Sequence, residues 1–366
     1  MAAETITKPN TGAELPERLH HNAYVCADQE RTRRFYEDVL GLPLIATWIE
    51  QTEMDGRTVS FSHTFYGLAD GGALAFFNFQ DPEVQARFTP NAQPAFVHVA
   101  AQPDPYRGAF GDDAAAYVGS VAGACADAAT ASGGVAAFIS EPLLGNQGAV
   151  QPPDGFLAGA YAAVRAAGGV CIADEIQVGY GRTGESFWAF EHERVTPDIV
   201  AVAKSTGNGH PVGAVICRTE IADALGRRAA FFSSTGGGPV SCEVGLAVLD
   251  AIADEGLQDN AARVGGVLKR SLTALADDHG LIGAVHGRGL YRGVDLVLDR
   301  DTREPAVAQA RWICERMREL GVIVQPTGDH GNVLKVKPPL CITESDGDLF
   351  IVALDRTLRE LASVAL

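Results

Sequence analysis

The sequence predicts an α/β protein with a smaller α+β segment at its C-terminal end and a βαβββ segment in front. Three observations predict it. From about residue 100 onward, short apolar strands alternate with helical stretches, which argues for a parallel sheet covered by helices. Two of those strands end on charged residues, Asp174 and Lys204, with a glycine-rich loop between them. Residues 19–98 instead carry one helix and four strand candidates in the order βαβββ.

Residues 1–18 are polar, with Pro9, Gly12 and Pro16, and read as a loose arm. The next segment has an apolar strand at Asn22–Cys26, a helix at Gln29–Leu40 and the turn Gly41-Leu42-Pro43. Strands follow at Leu44–Glu50, Thr58–Phe65 and Ala73–Phe79. An Ala/Gly-rich helix is expected over roughly 112–131, then Val135–Ser140 as a strand and a helix near Gly155–Ala167. Strands Val170–Asp174, Ile199–Ala203 and Ala214–Cys217 come next, then one long helical pattern over Val240–Asp278. The last hundred residues mix strands (Gly289–Val297, Val322–Gln325, Val333–Val336) with helices (Val307–Leu320, Ser345–Ala362). The expected domains are 19–98, 101–262 and 263–366.

Composition narrows the function. The chain has 366 residues, is 46% hydrophobic and carries a formal net charge of −17. So acidic a surface repels nucleic acid and anionic membranes and favours solubility. No stretch is long and apolar enough to span a bilayer, and the first residues show no secretory signal. The seven cysteines are scattered without a CxxC pair, so neither a zinc knuckle nor a disulfide framework is implied. Most sit in apolar surroundings and read as small core residues, and a reduced, cytoplasmic setting is expected.

The chemistry concentrates at the two strand ends. Val170-Cys171-Ile172-Ala173 runs into Asp174-Glu175-Ile176-Gln177, and Asp198–Ala203 runs into Lys204. Ligands gather at the carboxyl ends of strands in open parallel sheets. A charge at the end of a buried strand costs several kcal/mol unless it meets a partner. An Asp174–Lys204 ion pair would satisfy both groups. Gly207-Asn208-Gly209 after the lysine lets backbone approach a ligand instead. Desolvation would favour a neutral, nucleophilic Lys204 amine, and an acid facing it could hold a protonated pyridine nitrogen.

Asp174-Glu175-Ile176-Gln177-Val178-Gly179-Tyr180-Gly181-Arg182-Thr183-Gly184, Pro197-Asp198-Ile199-Val200 and Ala203-Lys204 together resemble the signature of class III aminotransferases, fold-type I enzymes that use pyridoxal 5'-phosphate (PLP). The resemblance begins near Pro103-Asp104-Pro105-Tyr106-Arg107-Gly108 and runs to the C-terminus. It implies transamination of an amine or amino acid with a keto acid, Lys204 as the cofactor-binding lysine and proton shuttle, and Asp174 on the pyridine nitrogen. It places Ile176 against the ring and Gln177 near the ring oxygen. Thr235 would reach the cofactor phosphate of a neighbouring subunit, which implies a homodimer, and Glu141 would lie near the substrate. Gly207–Val212, Gly238–Cys242 and Asn332–Pro339 resemble the ethanolamine-phosphate phospho-lyase branch. Lys335 stands where many class III transaminases carry a carboxylate-gripping arginine. Lysine cannot make that two-pronged contact, so an amine or phospho-amine substrate, and a lyase reaction, come into view.

Two departures shape the expectation. Leu19–Tyr24, Phe35–Leu44 and Ala73–Phe77 resemble a module of the vicinal oxygen chelate (glyoxalase/dioxygenase) superfamily. His21 falls where that family places a metal ligand, and His98, on an apparent strand Ala95–Val99, could be a second. Two histidines without a carboxylate make a poor site, so no metal is expected. The turn that cups the PLP phosphate and the aromatic that stacks on its ring are not recognisable either. The chain therefore reads as an N-terminally truncated PLP-transferase domain fused near 98–102 to a partial glyoxalase-like module. A metal-dependent chelate enzyme and a non-catalytic fusion are the competing readings.

Overall fold

The computed structural model describes residues 21–54, 56–68, 73–88, 97–228, 233 and 236–364. The chain clusters into two compact units, residues 1–93 with 220–238, and residues 94–219 with 239–366.

In the first unit, β1 (His21–Val25) is followed by α1 (Gln29–Arg33), which continues into a π-helical turn at Arg34–Val39. The Asp28 side chain caps α1 by accepting from the Arg31 backbone N–H. Then come β2 (Leu44–Met54), β3 (Arg57–Gly67), β4 (Ala73–Phe79) and α2 (Pro82–Phe88). The sheet order is β1-β4-β3-β2, with β1 parallel to β4 and the other pairs antiparallel. The βαβββ order is therefore as expected. Phe65, Ala73 and Ala75 form its small core.

The second unit opens with Pro103–Gly108 and then α3 (Ala114–Ser132), which begins at an Asp113 cap and ends at Gly133 in the left-handed region. Next are β5 (Ala137–Ser140), α4 (Phe156–Ala166), β6 (Val170–Asp174), β7 (Ile199–Val202) and β8 (Ala214–Cys217). α5 (Thr219–Arg228) starts at the boundary and lies almost wholly in the first unit. The sheet order is β5-β6-β7-β8. β5, β6 and β7 are parallel, as the alternation predicts, but β8 is antiparallel to β7. A parallel return needs a crossover of a dozen or more residues, usually through a helix, and the link from β7 to β8 holds only a short 3₁₀ turn at Lys204–Thr206. Buried Tyr117, Phe156, Tyr161, Val164 and Cys171 pack α3 and α4 onto this sheet. Its margins keep apolar residues in solvent: Ile139 on β5 is 62% exposed and Val215 on β8 66%.

The helical stretch expected over Val240–Asp278 is two helices, α6 (Pro239–Asp254) and α7 (Leu257–Asp278). They are separated at Gly256, whose φ of +59° glycine tolerates best. A second sheet follows, with β9 (Ile282–Arg288), β10 (Tyr291–Asp299), β11 (Glu304–Pro305), β12 (Gln325–Thr327) and β13 (Val333–Val336). Its order is β11-β10-β13-β12, with β9 on the other side of β10, and all pairs are antiparallel. α7, α8 (Val307–Glu319) and α9 (Glu344–Leu361) close over it. The core here is apolar on both sides, with Leu268, Leu272, Leu290, Val294, Leu296, Ile313 and Leu354 all buried.

Some expectations change. Val97–Val99 is not a strand, so His98 sits on irregular backbone; Ala95 and Phe96 lie outside the described residues. Of the cysteines only Cys125 and Cys171 are buried, and Cys242 and Cys341 are exposed, because their helix and loop faces point to solvent. Among the described residues, no helix is long and apolar enough to cross a membrane. Nor does any group of three or more His, Cys, Asp or Glu side chains gather to hold a metal.

Leu272 on α7 has no exposed surface. Leu272→Ala should cost about 2–5 kcal/mol through lost burial and the cavity left behind. A urea titration followed by circular dichroism checks this, and a midpoint equal to the parent's would contradict the packing described.

Candidate active site

The site is built on the register of β6 and β7. Asp174 pairs across to Ala201, so the carboxyl ends of both strands stop together and Lys204 follows two residues after β7 ends. Asp198 pins this alignment from below. It is buried, its N–H donates to the Cys171 carbonyl at 2.8 Å, and its carboxylate accepts the Cys171 N–H at 2.8 Å. Arg165 and Arg218 pair with the same carboxylate.

Beyond β6 the chain turns sharply. One Asp174 oxygen accepts the Ile176 N–H at 3.0 Å. Glu175 points the other way and is 1% exposed; its two oxygens accept the N–H groups of Ala189 and Phe190 at 3.0 and 2.9 Å. Burial pushes its carboxyl up to about 7 despite those two bonds. Glu175 thus closes the loop 176–188 on itself. Inside that loop, Arg182 is buried and donates to the carbonyls of Leu290 and Pro338 at 3.3 and 2.7 Å, while its Nε is buried without a partner. Burial lowers its guanidinium to about 10.

Lys204 is exposed and sits at φ +48°, in the left-handed region that most side chains avoid. The desolvated lysine expected from sequence is therefore not what the fold gives. The strand ends one residue earlier than Ala203, and the short 3₁₀ turn carries the lysine out. No ion pair joins it to Asp174, which is half-buried. The simple salt bridge that would satisfy both groups is absent, and among the described residues Lys204 has no carboxylate partner.

Opposite these strand ends, the loop after β5 and the strands β10 and β13 contribute the remaining groups. Glu141 accepts the Gly145 N–H at 3.0 Å. Its carboxyl is raised, first by burial and then by nearby Asp174, with Lys335 pulling the other way. Gln177 is buried; its amide nitrogen donates to Asn146 Oδ1 at 2.9 Å. Its oxygen accepts from Lys335 Nζ at 3.0 Å, Lys337 Nζ at 3.5 Å and the Tyr291 hydroxyl at 3.4 Å. Both ammonium groups lie over the Tyr291 ring, 5.6 and 5.2 Å from its centroid. Burial and then Lys204 depress Lys335. Burial, Arg182, Lys335 and Lys204 bring Lys337 down to about 7, against a weak opposing pull from Glu141.

The structure thus brings together Lys204, Asp174, Glu141, Gln177 and Lys335, with Ile176 beside them on the β6 turn. Thr235 lies outside the described residues. Lys337, Tyr291, Arg182 and Asn146 join the site without having been singled out. Lys337 was legible in principle: it stands two residues after Lys335, and a strand puts i and i+2 on one face.

The model of the aminotransferase class-III family matches residues 8–358, and the chain belongs to that family, which is PLP-dependent. It is 46% identical over 265 residues to alanine–glyoxylate aminotransferase 2 homolog 2, mitochondrial, of Arabidopsis thaliana, covering 72% of this chain and 55% of that protein. It is 38% identical over 286 residues to ethanolamine-phosphate phospho-lyase homolog 1 of Caenorhabditis elegans, covering 73% and 61%. Among solved structures, a phospholyase from Arthrobacter in complex with phosphoethanolamine superposes with a TM-score of 0.69 at 37% identity, covering 74% of this chain and 64% of that one. An amine transaminase from an uncultivated Pseudomonas species in its PLP-bound form gives 0.65 at 30% identity, covering 75% and 64%. The chain thus spans 55% and 61% of the two curated relatives' lengths.

The depressed Lys337 has a consequence for stability. Its ammonium titrates at about 7 in the folded chain and near 10.5 when unfolded. Between those values the unfolded chain holds the extra proton, so stability rises with pH across that window and the charged form is a burden below it. Lys337→Met should remove this slope, a difference on the order of 2 kcal/mol after allowing for solvent screening. Urea midpoints of the two proteins, compared from pH 6 to 10, check it; parallel pH profiles would contradict it.

Proposed function

We propose that the chain is a PLP-dependent aminotransferase acting on an amine or amino acid and a keto acid. The observation that carries this is the pair of strand ends: Asp174 closes β6 opposite Ala201, three residues before Lys204, and no ion pair joins the two. The residues present fit the cofactor's ring end. Asp174 keeps one carboxylate oxygen beyond its bond to Ile176, suited to holding the proton on the pyridine nitrogen. Lys204 would attach the cofactor through Nζ and, once displaced by substrate, carry a proton to and from the substrate carbon. Ile176 offers an apolar contact to the ring. Gln177 orients through Asn146 and holds Lys335 of β13 and Lys337 just beyond it on its oxygen. When bound, PLP supplies the electron sink that makes the substrate's carbon acidic.

A homodimer, with Thr235 reaching the neighbouring subunit's cofactor phosphate, belongs to the same proposal. Light scattering of the active, cofactor-loaded protein should show a dimer, and a monomer with full activity would refute it. Lys335 in place of an arginine supports a second reading, a phospho-amine lyase, because one ammonium grips a carboxylate less well than a guanidinium fork. For residues 19–98 we propose a kinship with vicinal oxygen chelate modules. The sheet order with β1 beside β4 supports it, although the family match also spans this segment.

The direct test is borohydride reduction in the presence of PLP followed by peptide mapping. A pyridoxyl group should appear on Lys204 and vanish in Lys204→Ala. Asp174→Asn should keep the fold and lose most turnover, on the order of 10²-fold or more, because the ring nitrogen is no longer held protonated. A label elsewhere, or parent-like turnover in Asp174→Asn, refutes the assignment.

A further inference from the structure

A second group of charges gathers on the far side of β10 from Tyr291. Successive residues of a strand point to opposite faces, so Tyr291 turns toward Gln177 and Arg292 turns away, toward α7. Arg292 is 5% exposed. One of its terminal nitrogens donates to the Gly287 carbonyl and the other to the Gly265 carbonyl at 3.1 Å, while its Nε is buried without a partner. Among the described residues no carboxylate pairs with it. Burial and then Arg288 lower its guanidinium to about 10, with Glu185 pulling the other way. A buried charge of this kind costs several kcal/mol unless something answers it. Arg292 lines a cavity of about 500 Å³. The sequence leaves this space open. Ala262, Gly266 and Lys269 recur at i, i+4 and i+7 on one face of α7, and the first two have little or no side chain to fill it. Arg288 lines the cavity too, donating from Nε to Gln151 at 2.8 Å and from Nη1 to Glu185 at 2.7 Å. Lys269 is exposed and has no carboxylate partner among the described residues. Three cations thus face the cavity against one acid, Glu185, which Arg288 already engages.

We propose that this cavity binds a small organic anion through a doubly charged group, a phosphate or a dicarboxylate, held by Arg292, Arg288 and Lys269. The site is separate from the one that holds the cofactor: Asp174, Gln177, Lys204 and Lys335 do not line it. Each terminal nitrogen of Arg292 carries two N–H groups and gives one to a carbonyl, so a charge-assisted pair remains for a ligand. Lys269 adds an ammonium on a flexible stem at the solvent side. The volume is that of a small-molecule site, so the charged group is one end of a larger molecule. The wall is stiff before any ligand arrives. A Cβ placed on Gly265 would fall 2.3 Å from the carbonyl carbon of Gly289, so α7 and the turn after β9 meet main chain to main chain. Arg292 is therefore held in place beforehand, which lowers the ordering cost of binding. The loop that carries Arg182 also brings Thr183 and Glu185 into the cavity wall, so a bound anion touches the same loop as the active site.

The test uses two probes, sulfate for a phosphate group and malonate for a dicarboxylate. Each is titrated into the full chain by calorimetry at constant ionic strength. At least one should bind, and the tighter of the two names the source of the charge. Lys269→Ala should weaken that binding roughly tenfold or more, the loss of one charge-assisted contact. Lys269→Arg should restore it. Lys269 is exposed, so neither change disturbs a packed core. Arg292→Met should lose the binding while its urea midpoint without ligand is no lower than the parent's, because an apolar side chain replaces a buried charge that lacks a partner. Lys335→Met is titrated alongside and should bind the probe as the parent does. If the Arg292 guanidinium serves only the carbonyls of Gly265 and Gly287, Arg292→Met has a lower midpoint and Lys269→Ala binds like the parent, and the proposal fails. If Lys335→Met loses the probe and Lys269→Ala keeps it, the anion sits at the cofactor site and the proposal fails. Absence of binding by both probes overturns it as well.

Discussion

The site depends on a single reciprocal contact between Asp198 and Cys171. The aspartate at the start of β7 donates its backbone N–H to the Cys171 carbonyl and accepts the Cys171 N–H on its carboxylate. A parallel pair of strands has evenly spaced, slanted bonds, and its register is free to slip unless something fixes one end. Here the fixed end is the buried one, and two arginines hold the charge that does the fixing. Because the lower ends are locked, the upper ends arrive together. That is why Asp174 and Lys204, thirty residues apart in the chain, belong to one site. A slip of one residue would turn Asp174 to the other face of the sheet.

Glu175 and Arg182 do for the following loop what Asp198 does for the strands. One buried carboxylate gathers two backbone N–H groups, and one buried guanidinium gathers two backbone carbonyls. Each is a charged group spent on main-chain atoms that have no strand or helix to satisfy them, the usual requirement when irregular backbone is buried. The Arg182 bonds to Leu290 and Pro338 also tie the loop to the chain next to β10 and β13, where Tyr291 and the two lysines stand. The electrostatics of the pocket follow from this arrangement. Lys335 and Lys337 stand at the end of β13, and Asp174 stands at the end of β6.

Much of this was legible in the residues. β4, β6, β8 and β13 fall where apolar runs and turn residues put them, and the strand-end positions of Asp174 and Lys204 could be read from the charged residues that close those runs. β9 was not read as a strand. Ile282–Arg288 contains two glycines, a histidine and an arginine, and its strand character comes from pairing with the buried β10 and not from local preference. The break between α6 and α7 was hidden because the apolar spacing continues past Gly256. Lys204 was expected in a desolvated niche; the left-handed turn that carries it outward leaves no mark in the sequence, since a lysine there is as unfavourable as most residues. The spacing to Lys335 could have pointed to Lys337, but its contact with Gln177, 160 positions away, is visible only in the fold.

Gly293 on β10 sits directly opposite Lys335 on β13, and a methyl group placed on it would fall 1.8 Å from the carbonyl oxygen of Gly148. The loop that carries Glu141 and Asn146 is therefore pressed against the strand next to the lysines with no room for a side chain between them. For anyone who wishes to reshape this pocket for bulkier molecules, that wall is closed to mutation.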